Sequence, residues 1–201
     1  ELSANVFRQT ELGVQWKPSG QWLIDAALYR VASSNEIRNT APGEYENLGA
    51  TVRRGAELQL HWLPSRAWHV EWAYGFNRSE VTHNADAALL SQRVVSVPQS
   101  TSTLHARWMP SPDVTVHGVL RHVGRAPIDG ANTEWAGSYH WLDLGLQYRL
   151  PVSVARNASL NLWLRNAANA QYASTTTIIG GQRLVAPGAP RSVQLGLQFS
   201  L

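Results

Sequence analysis

The sequence predicts an all-β protein, an antiparallel up-and-down transmembrane β-barrel present only in part, as about nine strands of a larger barrel. Three observations lead there. A Trp-x-Pro-Ser element recurs at Trp16, Trp62 and Trp108, 46 residues apart each time, with a degenerate copy at Tyr148-Arg149-Leu150-Pro151. Apolar and polar residues alternate with period two on either side of these turns. The aromatic residues of the apolar face gather beside the short turns rather than at strand centres.

Each Trp-x-Pro-Ser element is a tight polar turn, because Pro fixes φ and removes a backbone donor. Strands are expected to begin near Glu11, Trp22, Ala56, Trp68, Thr103, Val114, Leu142, Ser159 and Ser192, each longer than its clean core of alternation. Around the second turn Ala56, Leu58, Leu60 and Trp62 oppose Gly55, Glu57, Gln59 and His61. Trp68, Val70, Trp72, Tyr74 and Phe76 then oppose His69, Glu71, Ala73, Gly75 and Asn77. Leu104, Ala106 and Trp108 and, beyond the third turn, Val114, Val116 and Leu120 face away from His105, Arg107, Thr115, His117 and Arg121. Leu142 to Leu150 and Val193 to Leu201 repeat the pattern, with Leu160, Leu162 and Leu164 between them. Short connections (18–21, 64–67, 110–113, 151–157) alternate with long ones (33–45, 80–97, 126–138, 168–190), which describes a meander. The stretch Ala85 to Arg93 suits a short loop helix.

Composition narrows the class. The chain is 44% hydrophobic and 15% charged, with nine Trp and no Cys, so it has no disulfide framework, thiol nucleophile or Cys-based metal site. Its longest apolar runs fall far short of the roughly 20 residues of a membrane helix. No charged-then-apolar leader follows Glu1, as in a processed chain or part of a longer one. The net charge of +3 comes from basic residues spread along the chain, unlike the patch of a nucleic-acid binder. A propeller blade packs four short strands into a repeat of this length, whereas two long strands per repeat suit a membrane barrel, whose strands need about 9–11 residues. A soluble sandwich would bury its Trp residues centrally. Trp16, Trp22, Trp62, Trp68, Trp108, Tyr148 and Phe199 instead share one height, as an aromatic girdle in the headgroup layer of an outer-membrane bilayer. The turns then belong to the periplasmic side and the long loops to the exterior. Glu57, His61, Glu71, Arg121, Asp143 and Arg165 face a watery lumen.

These residues resemble the C-terminal barrel portion of TonB-dependent outer-membrane receptors of the siderophore-receptor type. Pro190-Arg191-Ser192 leading to Leu197-Gln198-Phe199 is similar to that family's closing strand, and Asn166-Ala167-Ala168-Asn169-Ala170-Gln171-Tyr172 to its Asn-Leu-Phe-Asp-x-x-Tyr segment. Gly55-Ala56-Glu57 and Glu11-Leu12-Gly13 resemble its Gly-x-Glu and Glu-x-Gly strand signatures. Ala167 and Ala168 depart from the usual bulky pair, and Leu201 from the usual terminal aromatic, for which Phe199 is the substitute. The resemblance implies a barrel of about twenty-two strands, of which residues 1–201 are the C-terminal part. The N-terminal plug, its TonB-recruiting box and the earlier strands are absent from this sequence. It also implies active uptake of a bulky scarce ligand such as a ferric siderophore, coupling to the TonB complex through the plug, and insertion by the barrel assembly machinery into the outer membrane of a Gram-negative bacterium.

Candidate ligand contacts are the inward polar or aromatic residues near the exterior: Arg121 and Arg125 on one rising strand, Tyr139 on the next and Arg165 on the one after. Arg suits an anionic ligand through charge-assisted hydrogen bonds. Pairing with lumen carboxylates or with the plug is the blander role. His61, His69, His105 and His117 read as scattered lumen histidines on separate strands near the periplasmic half rather than a metal site, and His117 and His122 have the wrong spacing for one strand face. Ser138, His140 and Asp143 do not form a triad, since His140 and Asp143 point to opposite faces. The competing function classes are a passive pore or small outer-membrane barrel and a barrel enzyme. No cofactor is called for.

Overall fold

The computed structural model describes residues 2–41, 43–47, 49–151, 156–179 and 181–200. Glu1, the terminal Leu201 and most of the connection after Pro151 lie outside them. Nine strands form one antiparallel sheet in which each pairs with its sequence neighbours. They are β1 (Val6–Trp16), β2 (Trp22–Ser34), β3 (Ala50–Ser65), β4 (Trp68–His83), β5 (Ser100–Ser111), β6 (Val114–Val123), β7 (Tyr139–Arg149), β8 (Arg156–Arg165) and β9 (Ser192–Ser200). Every expected strand is present. Several start earlier than the alternation implied, β3 at Ala50 and β7 at Tyr139, because backbone pairing continues where the side-chain pattern blurs. Among the described residues, no helix is long and apolar enough to cross a membrane.

The turns explain the repeat. Ser19 Oγ accepts from the Gln21 amide and Ser65 Oγ from the Ala67 amide, both at 3.2 Å, so the Ser closes the turn that Pro begins. Neighbouring hairpins are then laced together at the same height. The amides of Leu63, Met109 and Arg149 donate to the carbonyls of Gln21, Ala67 and Asp113 at 2.8, 2.8 and 2.7 Å. The three acceptors are themselves 46 residues apart. The repeat is therefore one hairpin pair, copied with its lateral hydrogen bond.

Strict register carries one apolar face across the sheet. Leu12 lies opposite Leu28, Leu28 opposite Ala56, and Ala56 opposite Phe76. Leu104 meets Leu120, which meets Leu142. Further on, Leu162 pairs with both Leu146 and Leu195. This face is open: Leu144, Leu146 and Tyr148 are exposed, whereas Asp143 and Gly145, which alternate with them on the other face, are buried. An exposed apolar face backed by a polar one inverts the soluble arrangement and is what lipid outside and water inside require. At its turn end Trp22 stacks on Trp62 with ring centroids 5.0 Å apart, and Trp68 on Trp108 at 5.7 Å. Trp16, Tyr148 and Phe199 stand exposed on the same face.

The long connections hold structure of their own. Three carry two-stranded hairpins: Ile37–Ala41 with Glu44–Asn47, Ala126–Pro127 with Trp135–Ala136, and Ala173–Ile179 with Gln182–Pro187. The expected loop helix is a single 3-10 turn, Ala87–Leu89, capped by Asp86. Around it Val81 and Val94 are buried against Leu89 and Val97, a small core beneath the loops. Asn132, in the left-handed region, clasps Arg93 through both its amide (3.1 Å to the carbonyl) and its carbonyl (2.7 Å from the amide), joining two loops. Next to it Asp129 accepts from the amides of Thr133 and Glu134 and from the Thr133 hydroxyl at 3.2, 2.7 and 2.8 Å. Partial burial raises its pKa, but these hydrogen bonds outweigh that and hold it below the ordinary 3.8.

Two outcomes follow. Leu104→Arg, in the middle of the belt, is expected to destabilise the folded barrel by about 2–4 kcal/mol in bilayer refolding, whereas the lumen-facing neighbour substitution Thr103→Arg leaves folding nearly unchanged. Because the folded Asp129 carboxyl ionises below its unfolded value, its stabilisation of the 126–136 hairpin is fully present above about pH 4 and lost as pH falls through the lower folded value. Asp129→Asn is expected to remove that acid-sensitive protection of the Glu134 amide in hydrogen exchange.

Candidate functional site at the loop end of the lumen

Where β6, β7 and β8 reach the loop end, the polar face concentrates charge and aromatic surface. Asp143, on β7, is buried. Its Oδ2 accepts from Arg121 Nη1 at 2.8 Å and lies 3.4 Å from Arg165 Nη1, while its Oδ1 accepts from the Asn166 amide at 2.8 Å. Register makes this possible, since Arg121 and Trp141 are partners and Asp143 follows two residues on, on the same face. Two guanidinium groups share one carboxylate, so the cluster keeps a net positive charge. Both arginines remain about one-third exposed, at 37% and 36%. Each also lies against an indole, Arg121 5.6 Å from the Trp141 ring centre and Arg165 4.2 Å from that of Trp163.

An aromatic stack stands beside them. Tyr172 lies 4.7 Å from Tyr139 and 5.3 Å from Trp141, nearly parallel to both. It reaches this place from the final long connection because Asn166 and Asn169 adopt left-handed conformations, which Asn tolerates better than most residues. The Asn166 side chain donates to the carbonyls of Ala170 and Ala189 at 2.9 and 3.0 Å and accepts from the Ala170 amide at 2.8 Å. Asn169 accepts from the Arg191 amide at 3.2 Å. The segment from Asn166 to Tyr172 is thus a clasp that ties both ends of the connection to the top of the wall. Gly188 completes it, for a Cβ there would sit 2.3 Å from the Tyr172 ring.

Of the four residues expected to contact ligand, Arg121, Tyr139 and Arg165 come together here. The two arginines are the ones paired with a lumen carboxylate. Arg125 stands apart, just past the end of β6, with its guanidinium 4.6 Å from the Trp135 ring centre. Asp143 as hub, Trp141 and Tyr172 were not among the expected contacts. Trp141 was legible from its lumen-side parity, whereas Tyr172 depends on the path of a long loop. His140 is exposed on the opposite face from Asp143, and no triad forms with Ser138.

Nearer the turns the histidines expected to be scattered converge instead. His61 and His105 lie directly opposite Glu71 on its two flanking strands, and His69 precedes it by two residues on the same face. Positions on separate strands became neighbours because their distances from successive turns match.

A wall with lipid outside and a cationic, aromatic lumen surface under structured loops defines a segment of an outer-membrane barrel. The chain belongs to the TonB-dependent receptor family, whose barrel model, "TonB dependent receptor-like, beta-barrel", matches residues 7–167. Its setting is the outer membrane of Gram-negative bacteria. It is 25% identical over 173 residues to the probable TonB-dependent siderophore receptor PiuA of Acinetobacter baumannii, covering 81% of this chain and 23% of that protein. The crystal structure of that siderophore receptor superposes with a TM-score of 0.78 at 23% identity, over 96% of this chain and 28% of the other. The ferric-catecholate import receptor Fiu of Escherichia coli K12, in its closed form, gives 0.74 at 24% identity, over 98% and 27%. The ferric yersiniabactin uptake receptor FyuA of Yersinia pestis gives 0.79 at 18%, over 98% and 30%. The chain therefore spans about a quarter of the length of the proteins it matches.

Asp143→Asn leaves two guanidinium groups without their shared anion and weakens the anchor of the Asn166 amide. It is expected to lower the stability of the loop end by about 2 kcal/mol, discounted for the exposure of both arginines. Limited proteolysis of the intact receptor is expected to cut faster within 167–190.

Proposed function

We propose that residues 1–201 are the C-terminal part of a TonB-dependent receptor barrel, and that the complete receptor takes up a ferric siderophore. The plug and the earlier strands belong to the same polypeptide in this reading. Energy arrives from the TonB complex through the plug, and the barrel assembly machinery inserts the whole into the outer membrane. Family membership supports this, as does a sheet that does not close on itself, since open edges are what a larger barrel removes. The exposed aromatics at the turn end (Trp16, Trp68, Trp108, Tyr148 and Phe199), together with the stacked Trp22 and Trp62, act as the headgroup girdle.

The observation that carries the ligand class is the loop-end cluster itself. Arg121 and Arg165 hold excess positive charge beside the flat surfaces of Tyr139, Trp141 and Tyr172. Such a surface suits an anionic ligand with aromatic groups, by charge-assisted hydrogen bonds to guanidinium and offset stacking. Arg125, held against Trp135, adds cationic reach at the rim of the loops. Transport rather than catalysis is the role, and tight ligand capture distinguishes the receptor from a passive pore.

The test uses the full-length receptor and a radiolabelled ferric catecholate complex, with iron-starved cells carrying the receptor as their sole uptake route. Trp141→Ala and the double variant Arg121→Gln/Arg165→Gln are each expected to reduce ligand affinity about tenfold or more, by loss of stacking in one case and of charge in the other. Uptake independent of the proton-motive force, or affinity untouched by both variants, contradicts the reading.

A further inference from the structure

We propose that the lumen face near the turns holds a binding site for an imidazole-preferring divalent transition-metal ion, with His61 Nδ1, His69 Nε2 and Glu71 Oε1 as its ligands. The site is separate from the loop-end cluster and independent of the siderophore reading.

The three ligand atoms lie within 4.8 Å of one another. His61 Nδ1 is 3.6 Å and His69 Nε2 3.2 Å from the same carboxylate oxygen. Adjacent donors around a tetrahedral zinc with bonds of about 2.0–2.1 Å stand about 3.3 Å apart, so these separations already match two edges of such a shell. Two imidazoles and a carboxylate with an open fourth position is a donor set that zinc accepts, water completing it. The groups are reachable, their side chains being 39%, 27% and 43% exposed for His61, His69 and Glu71. The backbone holds them in place, since each sits on the paired strands β3 and β4, and His61 and Glu71 are direct cross-strand partners.

An outer ring of residues supports and opposes the site. His105 Nδ1 stands 3.8 Å from the other Glu71 oxygen, and its Nε2 is 3.1 Å from His117 Nδ1. His105 thus flanks the carboxylate from β5, across from His61 on β3. Arg107 acts the other way. Its Nη2 lies 3.1 Å from His69 Nδ1, and a guanidinium can only donate. The His69 proton therefore resides on Nε2 in the metal-free state, directed at Glu71. Metal binding must move that proton to Nδ1 and turn Arg107 aside. A Gln at position 107 can instead accept from Nδ1–H through its side-chain carbonyl, the outer-shell arrangement that favours a metal-bound imidazole.

The test is titration of the purified, full-length receptor in detergent with Zn2+ against a competing chelator, with Co2+ as a spectroscopic probe of tetrahedral geometry. Binding is scored per folded receptor by heat-modifiable gel mobility. One saturable Zn2+ per receptor is expected, with an intense tetrahedral Co2+ band. His61→Asn and Glu71→Gln are each expected to weaken Zn2+ at least tenfold, Arg107→Gln to tighten it by about tenfold, and His122→Asn on the opposite face to change nothing. Absence of saturable binding, or binding that His61→Asn, Glu71→Gln and Arg107→Gln all leave unchanged, overturns the proposal.

Discussion

Cross-strand register is the constraint on which everything else in this chain depends. In a bilayer no backbone amide or carbonyl can be left to water, so the strands must pair completely along their length. Pairing has period two, and a slip of one residue would send every leucine of the belt into the lumen and every lumen charge into lipid. The Trp-x-Pro-Ser turns guard against this slip. The Ser19 and Ser65 hydroxyls close their hairpins, and the lateral hydrogen bonds to Gln21, Ala67 and Asp113 set each hairpin against the next.

Once register is set, it decides which lumen side chains meet. Two carboxylates become hubs. Asp143 is buried and gathers two arginines and the amide of Asn166, so it fastens the wall to the final loop as well as balancing charge. Glu71 is half-open and gathers imidazoles from β3, β4 and β5. The difference in burial separates their roles. A buried anion holding fixed partners is an anchor, while an accessible one flanked by imidazoles can accept a cation. The two hubs lie at opposite ends of the lumen wall, one under the loops and one near the turns.

Much of the fold was legible because alternation and turn chemistry are local signals. The nine strands, their faces and the short-turn, long-loop rhythm needed only residue parity and the positions of Pro. What was not legible was non-local. His61, His69 and His105 were placed at the same periplasmic end yet read as scattered, because their convergence on Glu71 depends on the β3–β4–β5 register. Arg121 was recognised as a lumen cation without its anchor, because pairing with Asp143 requires the β6–β7 register. Tyr172 was beyond any pattern argument, since its place rests on two left-handed Asn residues and a Gly188 that leaves room for the ring. The hairpins within the long connections were missed for a related reason. They are short, two to seven residues long, and lack a sustained apolar–polar alternation, so they resemble loop.

The most direct measurement of the central claim is a single-cysteine scan across 101–108 in the full receptor, made cysteine-free elsewhere and kept in the outer membrane. Spin labels at Leu104 and Ala106 are expected to be relaxed by oxygen dissolved in lipid, and those at Thr103, His105 and Arg107 by a water-soluble paramagnetic reagent, alternating residue by residue. Uniform accessibility, or the opposite phase with Thr103 and His105 in lipid, would contradict the register and with it both lumen clusters.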